Sequence, residues 1–195
     1  MNRRGANRTG PLGGAGMVGL WGASSFITSV QYGSIAGFGT SNLTATATIS
    51  AVDTSRAFVV WLGSNNGGVD DFSLLARVAL TNSTTVTGTR ERQDGANGTT
   101  VNFVVVEFLP GIIRSMQVVY GSLLSTSSPT ASITAVNTSK TVLLPVGRVQ
   151  TYAGGAVSYT AMPTSTLTNA TTVTWAAGAS GADVRIYSLV LEFIC

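Results

Sequence analysis

Polar Thr and Ser residues alternate with apolar residues along much of this chain, and this alternation is the two-residue period of a half-buried β-strand. The stretch TATATISAV at 44–52 shows the period most clearly. RAFVVWLG at 56–63 and NFVVVEF at 102–108 are rich in β-branched and aromatic residues, as strands are. Turn-forming runs such as SNNGG, DGANG and AGASGAD separate these segments. No long stretch has helical spacing of its apolar residues, so the pattern predicts an all-β chain.

The strand pattern occurs twice. TATISAVDTSRAFVV at 46–60 returns as TASITAVNTSKTVLL at 130–144, and LTNSTTVT at 80–87 returns as LTNATTVT at 167–174. Two shorter pairs, QYGSI with VYGSL and VVEF with VLEF, recur in the same order. The offsets of the four pairs lie between 84 and 88 residues, which indicates an internal duplication with small length changes in loops.

We therefore predict two tandem homologous antiparallel β-sandwich modules preceded by an extended Gly-rich N-terminal arm. The arm is residues 1–24, the first module 25–109 and the second 110–195. A module of this size buries only a modest core. We expect each module to gain further support from the other and from contacts between subunits.

The charge distribution separates the arm from the body. Charged residues make up only 10% of the chain, and the net charge of +3 arises from Arg3, Arg4 and Arg8. From residue 25 onward eight basic residues balance eight acidic ones. We therefore expect no nucleic-acid-binding face on the body. No apolar run approaches the length of a membrane-spanning helix, so no membrane partner is expected either.

The residue types limit the chemistry. The chain has no histidine and one cysteine, Cys195, so Ser-His-Asp and Cys-His catalysis, a Cys/His zinc site and an internal disulfide are excluded. Whether Cys195 links two chains is left open. Asp70 and Asp71 form the one adjacent acid pair, but neighbouring residues of an extended segment point to opposite faces. We expect no catalytic residues, no metal and no cofactor, and hence no enzyme.

The arm contains Gly14, Gly16 and Gly19 at the spacing of a dinucleotide-binding turn. That turn requires a strand before it, a helix after it and an acid about 20 residues on. None of these is predicted here, and no acidic residue occurs before Asp53. The arm instead suits docking along a partner's surface, with these residues as contacts: Arg3, Arg4, Arg8, Met17, Val18, Leu20 and Trp21.

Glu107 and Glu192 occupy equivalent positions in the two modules, as do Arg56 and Lys140. They are candidates for ion pairs within or between subunits that fix strand order or docking. The alternative is two unrelated exposed charges on each module.

Loop residues that could contact a ligand form a separate group. Aromatic rings stack on sugars, but they also pack in cores and subunit interfaces, and that alternative applies to each aromatic residue here. The candidates are Trp61, Asp70, Asp71, Tyr152 and Trp175.

The repeated blocks TATISAVDTSRAFVV, LTNSTTVT and VVEF, with their second copies, resemble modules found in small structural proteins of tailed-bacteriophage virions. The resemblance covers both modules. It implies a role in head decoration, head fibres or tail fibres, on the exterior of the particle. The strand layout is also reminiscent of the H-type lectin sandwich, which forms trimers.

The resemblance leads to two expectations. The first is a non-enzymatic capsid decoration or cement protein, which docks on the major capsid protein by its arm and forms a homo-oligomer, with a trimer favoured. The second is a tail-fibre or receptor-binding subunit, which docks on tail proteins by the arm and binds a host glycan.

Overall fold

The computed structural model describes residues 26–38, 42–66, 76–91, 99–124, 126–150, 163–178 and 184–194. These residues form β-strands and connecting turns, with a single 3-10 turn at Thr138–Lys140. The predicted all-β class is therefore confirmed. The strands are β1 (Ile27–Phe38), β2 (Thr44–Thr48), β3 (Ala57–Asn66), β4 (Arg77–Asn82), β5 (Thr85–Thr89), β6 (Thr99–Phe108), β7 (Ile113–Ser122), β8 (Thr130–Ser132), β9 (Thr141–Gln150), β10 (Thr164–Asn169), β11 (Thr172–Ala176) and β12 (Val184–Phe193).

Strands β1–β6, which we call the first unit, and β7–β12, the second unit, repeat one topology. In the first unit the orders are β1-β6-β3 and β2-β5-β4, and in the second they are β7-β12-β9 and β8-β11-β10. The pairings are antiparallel. β4 also meets β9 at one bridge, Arg77 with Gly147, which joins the two units edge to edge.

Each unit buries the inward-facing residues of its two sheets. On β6 the alternation is strict, so Val101, Phe103 and Val105 are buried while Asn102 is exposed. They pack with apolar residues of the facing sheet, such as Val78. The second unit has its own core, which contains the following buried residues: Leu123, Val136, Val173, Trp175, Val184, Ile186 and Val190.

A third apolar cluster lies between the units. Phe58 of β3 packs there with Leu189 and Leu191 of β12, whose side chains point away from the core of the second unit. The rings of Phe108 and Phe193, the last residues of β6 and β12, meet edge to face with centroids 5.7 Å apart. Burial of these outer faces stabilises each unit against the other, since apolar area removed from water contributes about 25 cal/mol per Å².

Candidate functional site

The carboxylate of Glu107 joins three segments of the first unit. Its Oε1 accepts from Arg56 Nη2 at 2.8 Å and from the backbone N–H of Asp53 at 3.2 Å, and its Oε2 accepts from Ser29 Oγ at 3.3 Å. The hydrogen bond from Arg56, followed by that from the Asp53 amide, lowers the pKa of Glu107. The side chain is buried, so these donors compensate the loss of water around the charge.

Glu192 makes the corresponding backbone and hydroxyl contacts in the second unit. It accepts from the Asn137 N–H at 2.9 Å and from Ser115 Oγ at 3.2 Å. The predicted partner Lys140 is not at this carboxylate, because its Nζ donates to the carbonyl of Ile194 at 3.0 Å. Among the described residues, Glu192 forms an ion pair with Arg114, the second residue of β7, whose Nε lies 3.8 Å from Oε2. The two carboxylates therefore accept equivalent backbone and hydroxyl hydrogen bonds in the two units, but they pair with different cations.

A cleft of about 370 Å³ lies where the end of β3 faces β9, β10 and β12 of the second unit. Trp61 and Tyr187 give it aromatic walls, and Ser64, Ser165 and Arg148 supply polar groups. Gly147 lies in its lining because the chain bulges there, with a φ of +121° that favours glycine. The bulge lets β9 approach the start of β4 closely, since a Cβ at this position would lie 2.4 Å from the Arg77 Cα and from the carbonyl oxygen of the preceding residue, Ala76.

Two polar groups beside the cleft are notable. The indole N–H of Trp61 is buried and has no hydrogen-bond partner among the described residues. Burial lowers the pKa of Arg148.

The guanidinium of Arg77 lies over the ring of Tyr187 at 4.9 Å, and that ring also contacts Tyr120 at 5.4 Å between centroids. These two contacts hold the Tyr187 ring in its orientation at the cleft.

The described lining of the cleft supplies aromatic, hydroxyl and guanidinium groups, and it contains no carboxylate and no histidine. Aromatic walls with hydroxyl and guanidinium groups match the face and the hydroxyls of a sugar or another planar polar ligand. In the described part of the chain no cluster of His, Cys, Asp and Glu could hold a metal ion.

Of the predicted ligand residues, Trp61 lines the cleft and Trp175 does not. Trp175 is fully buried in the core of the second unit, so its assignment as a ligand residue was wrong. Its position on β11 alternates inward, and the small Ser188 opposite leaves room for it. Asp70, Asp71, Tyr152 and Cys195 lie outside the described residues, as does the whole arm with Arg3, Arg4, Arg8, Met17, Val18, Leu20 and Trp21.

The sequence did not point to the strand residues that complete the cleft. Arg148 and Tyr187 lie on the paired strands β9 and β12, and Ser165 lies on β10 of the same unit. The packing of β3 against these strands brings Trp61 to them and closes the cleft. The sequence did contain one signal, a glycine that recurs at the same point of the two repeats, Gly63 and Gly147. In the structure both glycines have a φ of +121°.

The described residues contain no apolar helix of the length needed to cross a bilayer. No protein-family model, no curated protein and no solved structure matches this chain.

Proposed function

We propose that this chain is a non-enzymatic structural protein of a bacteriophage virion, most specifically a capsid decoration protein. Its arm docks on the capsid, and its two units associate with further copies on the exterior of the particle. The observation that carries the proposal is the exposure of apolar side chains on the outer sheet faces of an all-β framework that is itself tightly held. Val30 and Tyr32 are exposed on β1, and Val118 and Tyr120 on β7.

Such exposed groups favour an assembling protein. Large apolar side chains gathered on one face of a sheet mark a surface that another protein covers. The buried carboxylates of Glu107 on β6 and Glu192 on β12 accept hydrogen bonds from the turns that precede β3 and β9. These hydrogen bonds hold neighbouring strands together, so the exposed apolar side chains lie on a fixed framework. A protein that binds only the assembled shell stabilises it by mass action.

The proposal is tested by particle incorporation. Phage carrying the gene with residues 1–24 deleted would be purified and compared with wild-type particles by quantitative mass spectrometry of this chain. We expect the deletion to remove the protein from the particles and to lower their resistance to heat or to loss of divalent cations. Absence of the full-length protein from wild-type particles would overturn the proposal.

The cleft favours a second candidate function, a receptor-binding subunit for a host glycan. Trp61 and Tyr187 contribute aromatic surface to the cleft, and Ser64, Ser165 and Arg148 contribute polar groups beside it. A glycan array, followed by titration of any hit with the purified chain, tests this function. Binding that Trp61→Ala abolishes and Leu124→Ala retains would favour it, together with inhibition of phage adsorption by the purified protein. A decoration protein would show neither effect.

A further inference from the structure

Strand β1 of the first unit has one edge that no described strand covers. Among the described strands β1 pairs with β6 alone, and it forms one margin of the β1-β6-β3 sheet. Its register with β6 is regular from Ser29 to Ala36, between two irregular points near the strand ends. β1 therefore offers a regular run of open edge to a further strand.

The backbone hydrogen bonds at the end of β6 show in which direction its residues bond. The N–H of Phe108 donates to the carbonyl of Arg56, which precedes β3. The N–H of Leu109 donates to the carbonyl of Phe26, which precedes β1. Because these directions alternate along an antiparallel strand, the odd-numbered residues of β6 bond to β1 and the even-numbered ones bond to β3.

The register identifies the residues of β1 whose backbone groups face the open edge. Val105, an odd-numbered residue of β6, lies opposite Gln31. Val30 and Tyr32, on either side of Gln31, therefore direct their N–H and C=O groups away from β6. Their side chains are 45% and 77% exposed, and Tyr32 is the most exposed large apolar residue in the part of the chain that the structure describes.

Val30 and Tyr32 extend an apolar face that the contact between the units covers only in part. Val30 lies opposite Val106, which packs in the cluster between the units, and Tyr32 lies opposite Val104. The described members of that cluster from the first unit come from β3 and β6. The apolar face thus continues onto β1, where its side chains are uncovered.

β1 also lacks the features by which natural proteins protect an open strand edge. Charged side chains, proline or a very short strand prevent pairing with another chain. β1 has 12 residues, ITSVQYGSIAGF, with neither a charge nor a proline. By contrast, β7 at the same place in the second unit carries Arg114, and the marginal strands β2 and β8 have only 5 and 3 residues. A long unprotected edge marks a surface that another strand covers.

We propose that β1 of a second copy of this chain pairs antiparallel with β1 along this edge, about a two-fold axis at Gln31. In this register Val30 of each copy lies opposite Tyr32 of the other. Both residues direct backbone groups to the edge, so each such pair exchanges hydrogen bonds. Each pair also places an aromatic ring beside a β-branched side chain, which is a favourable cross-strand contact.

A second copy fits this edge because the edge is complementary to itself. The same residues contribute from both sides of the axis, as a closed dimer requires, and no like charges meet. The two three-stranded sheets become one sheet with the order β3-β6-β1-β1-β6-β3, and the apolar side chains of both β1 strands meet on its outer face. The inference rests on the association of copies proposed above, and it identifies the strand that joins them.

The recombinant full chain, with no phage particle present, provides the first test. Size-exclusion chromatography with light scattering and native mass spectrometry would measure its mass. We expect twice the 20.0 kDa of one chain for the wild type. Tyr32→Lys should give a monomer, because a lysine protects a strand edge from pairing. Tyr120→Lys, at an exposed tyrosine of the β7 edge, should leave the dimer intact.

A proline variant separates pairing from folding. The N–H of Tyr32 faces the open edge, so Tyr32→Pro removes no hydrogen bond to β6, and proline is tolerated at such positions of edge strands. We expect this variant to be monomeric and to retain the circular dichroism spectrum of the wild type. It replaces Tyr32→Lys if the lysine variant does not fold.

Disulfide trapping locates the axis. Gln31 and Gln117 are matched positions, because their side chains bond in the same way to the backbone of Ser50 and Thr134 respectively. On the proposed axis the Cα atoms of residue 31 in the two copies lie about 4.5 Å apart, within the range of a disulfide. In a Cys195→Ser background, Gln31→Cys should form covalent dimers under mild oxidation, and Gln117→Cys should not.

Three outcomes overturn the inference: a monomeric wild-type chain, a dimer that both Tyr32 variants retain, or covalent dimers that form no faster with Gln31→Cys than with Gln117→Cys. A monomeric chain that is still incorporated into particles would overturn this pairing and leave the structural role standing. A chain that dimerises through β1 but is absent from particles would do the reverse.

Discussion

The indole N–H of Trp175 donates a hydrogen bond to Ser188 Oγ over 3.1 Å, inside the core of the second unit. The repeat mates of these residues in the first unit are Gly88 and Phe103. Thus a large residue and a small one face each other in both cores, but their positions are exchanged. The aromatic ring comes from β6 in the first unit and from the opposite sheet, on β11, in the second.

The glycines on β1 and β7 complete this exchange. A Cβ on Gly33 would lie 2.4 Å from the Phe103 ring, and a Cβ on its mate Gly121 would lie 2.5 Å from the Trp175 ring. Both rings therefore fill the same gap beside a glycine, although they reach it from different sheets. Both cores therefore have one large aromatic ring at this place, as close packing requires, although the ring belongs to a different strand in each unit.

We first predict the effect of removing the ring from the second unit. Trp175→Gly should destabilise the protein by about 3–5 kcal/mol, the usual cost of truncating a buried aromatic residue. Adding Ser188→Phe, which recreates the pair found in the first unit, should recover part of that loss. Urea unfolding of the wild type, both single variants and the double variant would measure the coupling. A double variant less stable than Trp175→Gly would contradict the exchange.

The repeat, the strands and the absence of helix were predictable because they depend on local pattern. The alternation in TATATISAV and the recurrence of LTN-[SA]-TTVT need no knowledge of tertiary contacts. The position of Trp175 was not predictable in this way, since its burial depends on the small Ser188 of another strand. The repeat could have revealed it, because Gly88 and Phe103 differ at the same two positions.

The candidate site was predictable only in part. Trp61 was identified from its type and its place near a loop, and it does line the cleft. Tyr187 and Arg148 were not, because they lie on the paired strands β12 and β9 of the second unit, and the position of β3 against that sheet is what makes a cleft there. The sequence offered the pairing of Arg56 with Glu107 as a candidate, and the structure contains it. The matching pair of Lys140 with Glu192 is not formed, because Lys140 donates to the Ile194 carbonyl.

The two bulge glycines give a matched pair of substitutions. Gly63→Ala and Gly147→Ala both place a side chain at a φ of +121°, a strain on the order of 1–3 kcal/mol. Only at Gly147 would the new Cβ also collide with the backbone of Ala76 and Arg77. Gly147→Ala should therefore be clearly the more destabilising of the two in urea unfolding of the full chain. Equal losses would contradict the close approach of β4 to β9.

The basic residues after the two repeated turns should differ in importance. Arg56→Gln removes two hydrogen bonds from the buried Glu107, at 2.8 and 3.2 Å, and should cost about 1–3 kcal/mol. Lys140→Gln affects an exposed side chain that donates to one exposed carbonyl, so its effect should stay within about 0.5 kcal/mol. Chemical denaturation of the two variants compares them directly. A loss for Arg56→Gln no larger than that for Lys140→Gln would contradict this difference.

The lowered pKa of Glu107 makes stability depend on pH in a definite direction. Hydrogen bonds from Arg56 and from the Asp53 amide favour the ionised form in the folded state, so the folded pKa lies below that of the unfolded chain, about 4.3. The stabilisation is complete above the unfolded value and is lost as the pH falls through the folded one. The free energies of unfolding of the wild type and of Glu107→Gln should therefore differ by a constant amount between about pH 6 and 8, and they should converge in acid.

Asp53 requires a control in the same experiment. Hydrogen bonds from Ser55 lower its pKa too, so it contributes over the same acidic range. Asn137, its repeat mate, accepts the matching hydrogen bonds from Ser139, so Asp53→Asn should retain the turn. Urea unfolding at a series of pH values, in the Asp53→Asn background, isolates Glu107. If the difference in free energy of unfolding between the protein with Glu107 and its Glu107→Gln variant did not shrink below about pH 4.3, the hydrogen-bond donors would not be holding the carboxylate ionised.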